Sequence, residues 1–152
     1  LAIIGSQTAV SRANLARLSR HRSIRVAIRS TATAWRDTPD WGAERLAIGF
    51  DMPPLAPEAA DRAVRTALAD LLQHRPKPRT VLVVGGDTLR RVLDTAAATS
   101  VDVHGAWAPG IAVSRVADGS WAGSWLYSMS GSFDDVGLVE AIAEDDRCSA
   151  RS

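Results

Sequence analysis

The chain has 152 residues, enough for one domain that buries roughly two thirds of its unfolded surface in a single core. Its formal net charge of +1, from 18 basic and 17 acidic residues, excludes bulk charge as a means of holding nucleic acid or a membrane. No apolar run approaches the roughly 20 residues that span a bilayer, and the lone Cys148 excludes an internal disulfide and points to a reducing compartment, the cytoplasm.

Leu1 to Ile4 reads as a short buried strand that ends at Gly5-Ser6; it is strand-like from its first residue, as a domain cut from a longer polypeptide would be. Ser11 to Arg20 supplies a helix with Leu15 and Leu18 inward, and the arginines between Arg12 and Arg29 read as its solvated face and exit. Arg25 to Ser30 alternates as a second strand. Thr31 to Ala43 carries Trp35, Pro39, Trp41 and Gly42 without periodicity and is expected to be a loop. Arg45 to Phe50 is the next strand. Pro57 suits the first turn of a long helix to His74, where its missing N–H costs nothing, and Ala60, Val64, Ala67, Leu68, Leu71 and Leu72 mark the buried face.

The most informative stretch follows. Val81 to Val84 is continuously apolar, the pattern of a parallel strand covered on both faces. Leu89, Val92, Leu93, Ala96 and Ala97 fall at helical spacing on one stripe. Between them, Gly85 and Gly86 can take backbone angles closed to other residues and let a ligand approach the main chain. Asp87 or Thr88 is placed to cap the helix, whose first N–H groups point into the same space. A helix N-terminus at the carboxyl end of a parallel strand suits an anion, phosphate above all; the same turn also serves simply to stop a strand and start a helix.

After Ala98 the text becomes strand-rich. Val101 to Val103, Ile111 to Val116 and Ser124 to Tyr127 are extended runs, separated by Trp107 to Gly110 and by Asp118 to Gly123, the latter a hairpin signal with Gly119 and Gly123 available for positive φ. Ser128 to Phe133 is a further small-residue turn, and Asp134 or Asp135 can cap a closing helix through Val139 and Ile142. The expected class is α/β: a mainly parallel sheet flanked by helices, Rossmann-like in its layers, with a late antiparallel ribbon. Three small-residue turns, at Gly5-Ser6, Gly85 to Thr88 and Ser130 to Ser132, each follow a strand; if those strands are parallel neighbours, the turns converge on one ligand.

The ordered set Ile-Ile-Gly-Ser6, Val-Val-Gly-Gly-Asp-Thr88, Ala-Pro-Gly-Ile111 and Ser-Gly-Ser-Phe133 resembles the C-terminal nucleotide-binding domain of the four-carbon acid sugar kinase family. The resemblance implies that residues 1–146 are a nucleotide-binding domain, with 147–152 a polar tail, and that the N-terminal domain holding the sugar acid is not in this chain. It implies ATP-dependent phosphorylation of a tetronate or 3-oxo-tetronate, with ATP and Mg²⁺ as cofactors and no turnover by this chain alone. Ser6 matches the serine that contacts ATP, Gly85, Gly86, Asp87 and Thr88 match the glycine loop around the phosphates, and Gly131 matches the last nucleotide-contacting turn. Asp87 can hold Mg²⁺ through water or serve as a helix cap; Thr88 and Ser6 can donate to phosphate oxygens or cap locally.

The family usually carries a lysine, small residues and Gly-Phe-Gly in the last motif, whereas this chain has Met129, Ser132 and Asp134 at those places. A degenerate, non-catalytic nucleotide-binding or protein-interaction module of the same fold therefore stands as one alternative, and an α/β domain for another phosphorylated ligand as a second. Expected partners are ATP and the sugar acid, with a homo-oligomer allowed. Trp107, Trp121 and Trp125 lie near the proposed cleft, where they either stack on adenine or pack the core and hairpin. His21, His74 and His104 lack metal-ligand spacing.

Overall fold

The apolar runs and the amphipathic segments alternate along the chain, and in the computed structural model they become one sheet with helices on both faces. The structure describes residues 1–5, 8–30, 34–51 and 56–131. The expected closing helix through Val139 and Ile142, Ser6, Ser132, Asp134, Cys148 and the polar tail lie outside the described residues.

The elements in chain order are β1 (Ala2–Ile4), α1 (Ala9–Leu18), β2 (Arg25–Arg29), β3 (Leu46–Phe50), α2 (Pro57–His74), β4 (Thr80–Val84), α3 (Gly86–Thr95), β5 (Val101–Ala108), β6 (Ile111–Val116) and β7 (Trp125–Met129). They form a seven-stranded sheet in the order β2-β3-β1-β4-β7-β6-β5. Strands β2, β3, β1, β4 and β7 are mutually parallel, and β6 and β5 add an antiparallel ribbon to β7. The expected α/β class with a late ribbon is the observed one.

Side chains alternate between the two faces, as strand geometry requires. Ile3, Ile48, Phe50, Val81, Val83 and Leu126 face a core that holds the inner side of α2 and α3. Ile4, Ala47, Leu82, Val84, Tyr127 and Met129 face the other cluster, which holds Leu15 and Leu18 of α1. On α2 the buried positions are Ala63, Val64, Ala67, Leu68 and Leu71, while Ala60 and Leu72 are only half-buried, so the buried stripe is rotated slightly from the expected one. Burying each of the large aliphatic side chains stabilises the fold by roughly 1.5–3 kcal/mol. Two glycines let elements approach the sheet closely: a Cβ at Gly49 would lie 2.2 Å from Leu15 Cδ1, and one at Gly5 would lie 1.9 Å from Thr88 Oγ1.

The segment between β2 and β3 has no helix among its described residues. Trp35 and Trp41 pack against the α2 side of the core with rings edge to face at 5.5 Å, and the Arg75 guanidinium donates to the carbonyls of Trp41 and Ala43, both at 2.7 Å. Arg29 departs from the solvated arginine face expected for its region. It is 1 % exposed, lies over the Trp35 ring and pairs with Asp70 of α2 at 3.1 Å, because a buried charge requires a partner. Between α2 and α3, Asp61 accepts hydrogen bonds from Arg91 at 2.6 Å and Arg65 at 2.8 Å, and these donors hold its carboxyl below the usual range.

The ribbon is longer than expected. β5 runs on through Ala108, so Pro109 and Gly110, the latter at φ +82°, make the turn into β6. The second hairpin matches its sequence signal, with Gly119 at φ +75° and Gly123 at φ +84°.

Candidate functional site

Strands β1, β4 and β7 are adjacent and parallel, with Ile4 opposite Val84 and Val84 opposite Met129, so all three end at one edge of the sheet. The described residues of the three small-residue turns, Gly5, Gly85 to Thr88 and Ser130 to Gly131, therefore lie side by side. The Gly85 N–H donates to the Met129 carbonyl at 2.8 Å, the Gly5 N–H faces the Val84 carbonyl at 3.4 Å, and Thr8 Oγ1 lies 3.4 Å from the Gly131 carbonyl.

A cleft of about 590 Å³ opens at this edge on the α3 side of the sheet. Gly85, Gly86 and Leu89 form one wall, Ser128 and Ser130 the floor, and Gly105 and Ala106 of β5 the opposite wall. Backbone groups and the hydroxyl-bearing Ser128 and Ser130 meet aliphatic side chains in it, the mixed lining usual for a small-molecule cleft.

The glycine loop has a sharper geometry than capping statistics suggested. The N-cap of α3 is Gly85, at φ +105° and with no side-chain cap hydrogen bond, so the expected cap at Asp87 or Thr88 is corrected: the helix begins before either residue. The physical reason is that a residue with so positive a φ ends the strand at once and lets Gly86 start the helix. Nothing lies within 4 Å of a Cβ built at Gly86, so the backbone there faces open space. The first N–H groups of α3 lack partners within the helix and carry the positive end of its dipole. Asp87 is exposed in this first turn. Thr88 is only 4 % exposed and is packed against Gly5, so its hydroxyl supports the junction of the β1 and β4 turns rather than lining the cleft.

Of the residues singled out from sequence, Gly85 and Gly86 line the cleft, Asp87 lies beside it, Thr88 lies beneath it, and Gly131 lies at the end of β7 next to Ser130. Sequence reasoning missed Leu89, Gly105, Ala106 and Ser128 as lining residues, because only the strand order brings the ribbon to the mouth of the β4 turn. Met129 is 5 % exposed; its side chain packs in the α1-side cluster, and the residue also borders the cleft. None of the three tryptophans lines the cleft. Trp121 is 4 % exposed in the core, Trp125 begins β7 at the end of that strand opposite the cleft, and Trp107 packs against the α1-side cluster. Among the described residues no group of three His, Cys, Asp or Glu could hold a metal ion, and no helix is long and apolar enough to cross a membrane.

Solved structures share this fold. A protein with a domain of unknown function, DUF1537, from Bordetella bronchiseptica, a domain-swapped dimer with bound citrate, superposes with a TM-score of 0.73 at 20 % identity over 93 % of this chain and 39 % of its own. A DUF1537 protein from Haemophilus influenzae gives 0.67 at 13 % identity, over 94 % and 40 %. A putative tRNA synthase from Salmonella typhimurium gives 0.65 at 14 % identity, over 96 % and 40 %. The chain thus spans about two fifths of the length of the proteins it superposes on. No protein-family model and no curated protein sequence matches it.

Proposed function

We propose that this domain binds ATP as one half of a kinase for a four-carbon sugar acid, of the tetronate or 3-oxo-tetronate type. The DUF1537 proteins whose fold it shares are the four-carbon acid sugar kinase family, and a chain of two fifths their length is the size of one domain of such an enzyme. The observation that carries the proposal is the Gly85-Gly86 turn: a positive-φ glycine, an uncapped helix and open space above it, set between the turns of two neighbouring parallel strands.

Phosphoryl transfer asks the protein to position the phosphates and stabilise charge rather than to react covalently. The first N–H groups of α3 would hold β- and γ-phosphate oxygens, and the glycines would admit them to van der Waals distance of the backbone. Leu89, Ala106 and Ile111 would contact the apolar part of the nucleotide, without a tryptophan stack. Mg²⁺ binds through phosphates, water and one or two carboxylates, and Asp87, the acidic residue in the first turn of α3, fits that donor set. Bound there, the ion would neutralise phosphate charge. The sugar acid would enter from the other domain of the complete enzyme, which acts in the cytoplasm. The Bordetella neighbour holds citrate, itself a small polycarboxylate, and is a dimer, so self-association belongs to the same proposal.

A non-catalytic nucleotide-binding module is the second reading, favoured by Met129 where the family usually carries lysine. Calorimetric titration with ATP, with and without Mg²⁺ and against inorganic phosphate, tests the first step of both. Saturable binding that prefers ATP to phosphate is expected, and no heat at millimolar ATP would overturn the nucleotide reading for this domain. Joining the domain to a sugar-acid-binding partner domain and assaying ADP release then separates the kinase from the module.

A further inference from the structure

Where β4 and β7 begin, at the opposite end of those strands from the cleft, positive charge converges on one hairpin turn. Lys77 precedes β4, Arg115 lies near the end of β6, and both are exposed. The Lys77 ammonium donates to the Ala122 carbonyl at 2.9 Å, and Arg115 Nε donates to the Gly123 carbonyl at 3.2 Å. A Cβ built at Gly123 would stand 3.7 Å from Arg115 Nη2 and 4.0 Å from Lys77 Nζ, and beyond Gly123 and its chain neighbours nothing else comes within 4 Å of that point. Among the described residues no carboxylate pairs with either cation. Asp102 stands directly opposite Arg115 in the ribbon, yet the guanidinium turns to the Gly123 carbonyl and to the Trp125 ring, 5.8 Å from its centroid. Asp118, the acid of the hairpin, is taken up by Thr99 and Ser100.

We infer that Lys77, Arg115 and the Gly123 turn form a site for a small oxyanion of the phosphate type, separate from the α3 cleft. Two like charges held about one point repel each other, and an anion between them turns that repulsion into attraction. Each cation spends one N–H on a carbonyl, which fixes it in place; two ammonium protons and the Arg115 Nη groups remain to bind. A point charge and a planar fork aimed at one spot suit an anion with several oxygens, which accepts from both at once. Gly123, at φ +84°, has no side chain to exclude it, and the Trp125 ring supports the guanidinium by cation–π attraction. The inference is independent of the nucleotide reading, since neither cation lines the cleft.

Calorimetric titration of inorganic phosphate into the Gly86→Val chain, whose valine fills the open space at α3, isolates this site from the cleft. Saturable binding at low ionic strength is expected, where exposed charges are least screened. Lys77→Gln and Arg115→Gln should each weaken it at least tenfold, whereas Lys77→Arg, which keeps the charge, should retain most of it. Circular dichroism should show all three variants folded, because both positions are exposed. Sulfate should displace the phosphate, and chloride at the same concentration should not. Phosphate binding that survives both glutamine variants, or that chloride removes as well as sulfate does, would overturn the site, as would no binding at millimolar phosphate. In the chain with Gly86 intact, Lys77→Gln should leave ATP affinity unchanged, so failure of this site and failure of the nucleotide reading show separately.

Discussion

Two strand, turn and helix units look alike in sequence and differ at one atomic detail. At the start of α1 the Thr8 side chain accepts the Ser11 N–H at 3.1 Å, so the protein satisfies its own helix end. At the start of α3 the N-cap is Gly85, which has no side chain to offer, and the backbone beyond it faces open space. A side-chain cap uses up the first N–H groups of a helix that an uncapped end leaves open to a ligand, and that distinguishes the two units better than their shared glycine does. Gly5 serves packing instead, since it lets Thr88 sit against the end of β1.

The largest test breaks the link between the units. Gly5→Ala places a methyl group 1.9 Å from Thr88 Oγ1, and overpacking at a buried junction of this kind should cost about 3 kcal/mol in urea denaturation. Combining it with Thr88→Ala should recover most of that loss, because the clash is with that side chain. Gly86→Val makes the opposite demand. Its Cβ meets nothing within 4 Å, so the stability change should stay below about 1 kcal/mol, while ATP affinity falls beyond detection by calorimetry. A folded Gly86→Val protein with undiminished ATP affinity would remove α3 from the site. Thr8→Ala sharpens the contrast from the other side: it should cost about 1 kcal/mol of stability through the lost cap and leave the cleft's ligand affinity unchanged.

How far these features were legible depends on whether a periodicity or a pairing created them. The helices and the parallel strands were readable because their apolar residues repeat at 3.6 or run continuously, as in Pro57 to His74 and Val81 to Val84. The adjacency of β1, β4 and β7 was conditional in the sequence, since crossover connections rather than local residues fix strand order. β5 beyond Val103 was missed because an edge strand exposed on both faces shows no alternation. The start of α3 was placed too late because capping signals are side chains and Gly85 acts through φ alone. Its end was also misjudged. Ala97 stands at φ +53° in a terminal motif in which its N–H donates to the Asp94 carbonyl and that of Ala98 to the Leu93 carbonyl, a place where glycine is the usual signal. Ala97→Gly should therefore stabilise the domain by about 0.5–1 kcal/mol, read as a raised urea midpoint.

The other end of α3 gives the smallest and most selective test. Ala96 accepts a hydrogen bond from the Ser120 N–H at 2.7 Å, and Gly119 lies so close that a Cβ there would be 2.3 Å from the Ala96 oxygen. Asp118 ties the same hairpin to the start of β5 by accepting the Thr99 N–H at 2.6 Å, the Thr99 hydroxyl and the Ser100 hydroxyl. Those donors, the Thr99 hydroxyl foremost, favour the charged carboxylate and lower its pKa below the ordinary 3.8. A group whose folded pKa is depressed contributes stability that is present above its unfolded value and is lost as pH falls through the folded one. Asp118→Asn should thus destabilise slightly at neutral pH, with the difference from wild type closing as the pH is taken below 3.8. A pH-independent difference would assign the effect to hydrogen-bond geometry rather than charge. In either case the variant leaves the first turn of α3 untouched, so its ATP affinity should match the wild type, separating the anchored end of this helix from the end proposed to meet the nucleotide.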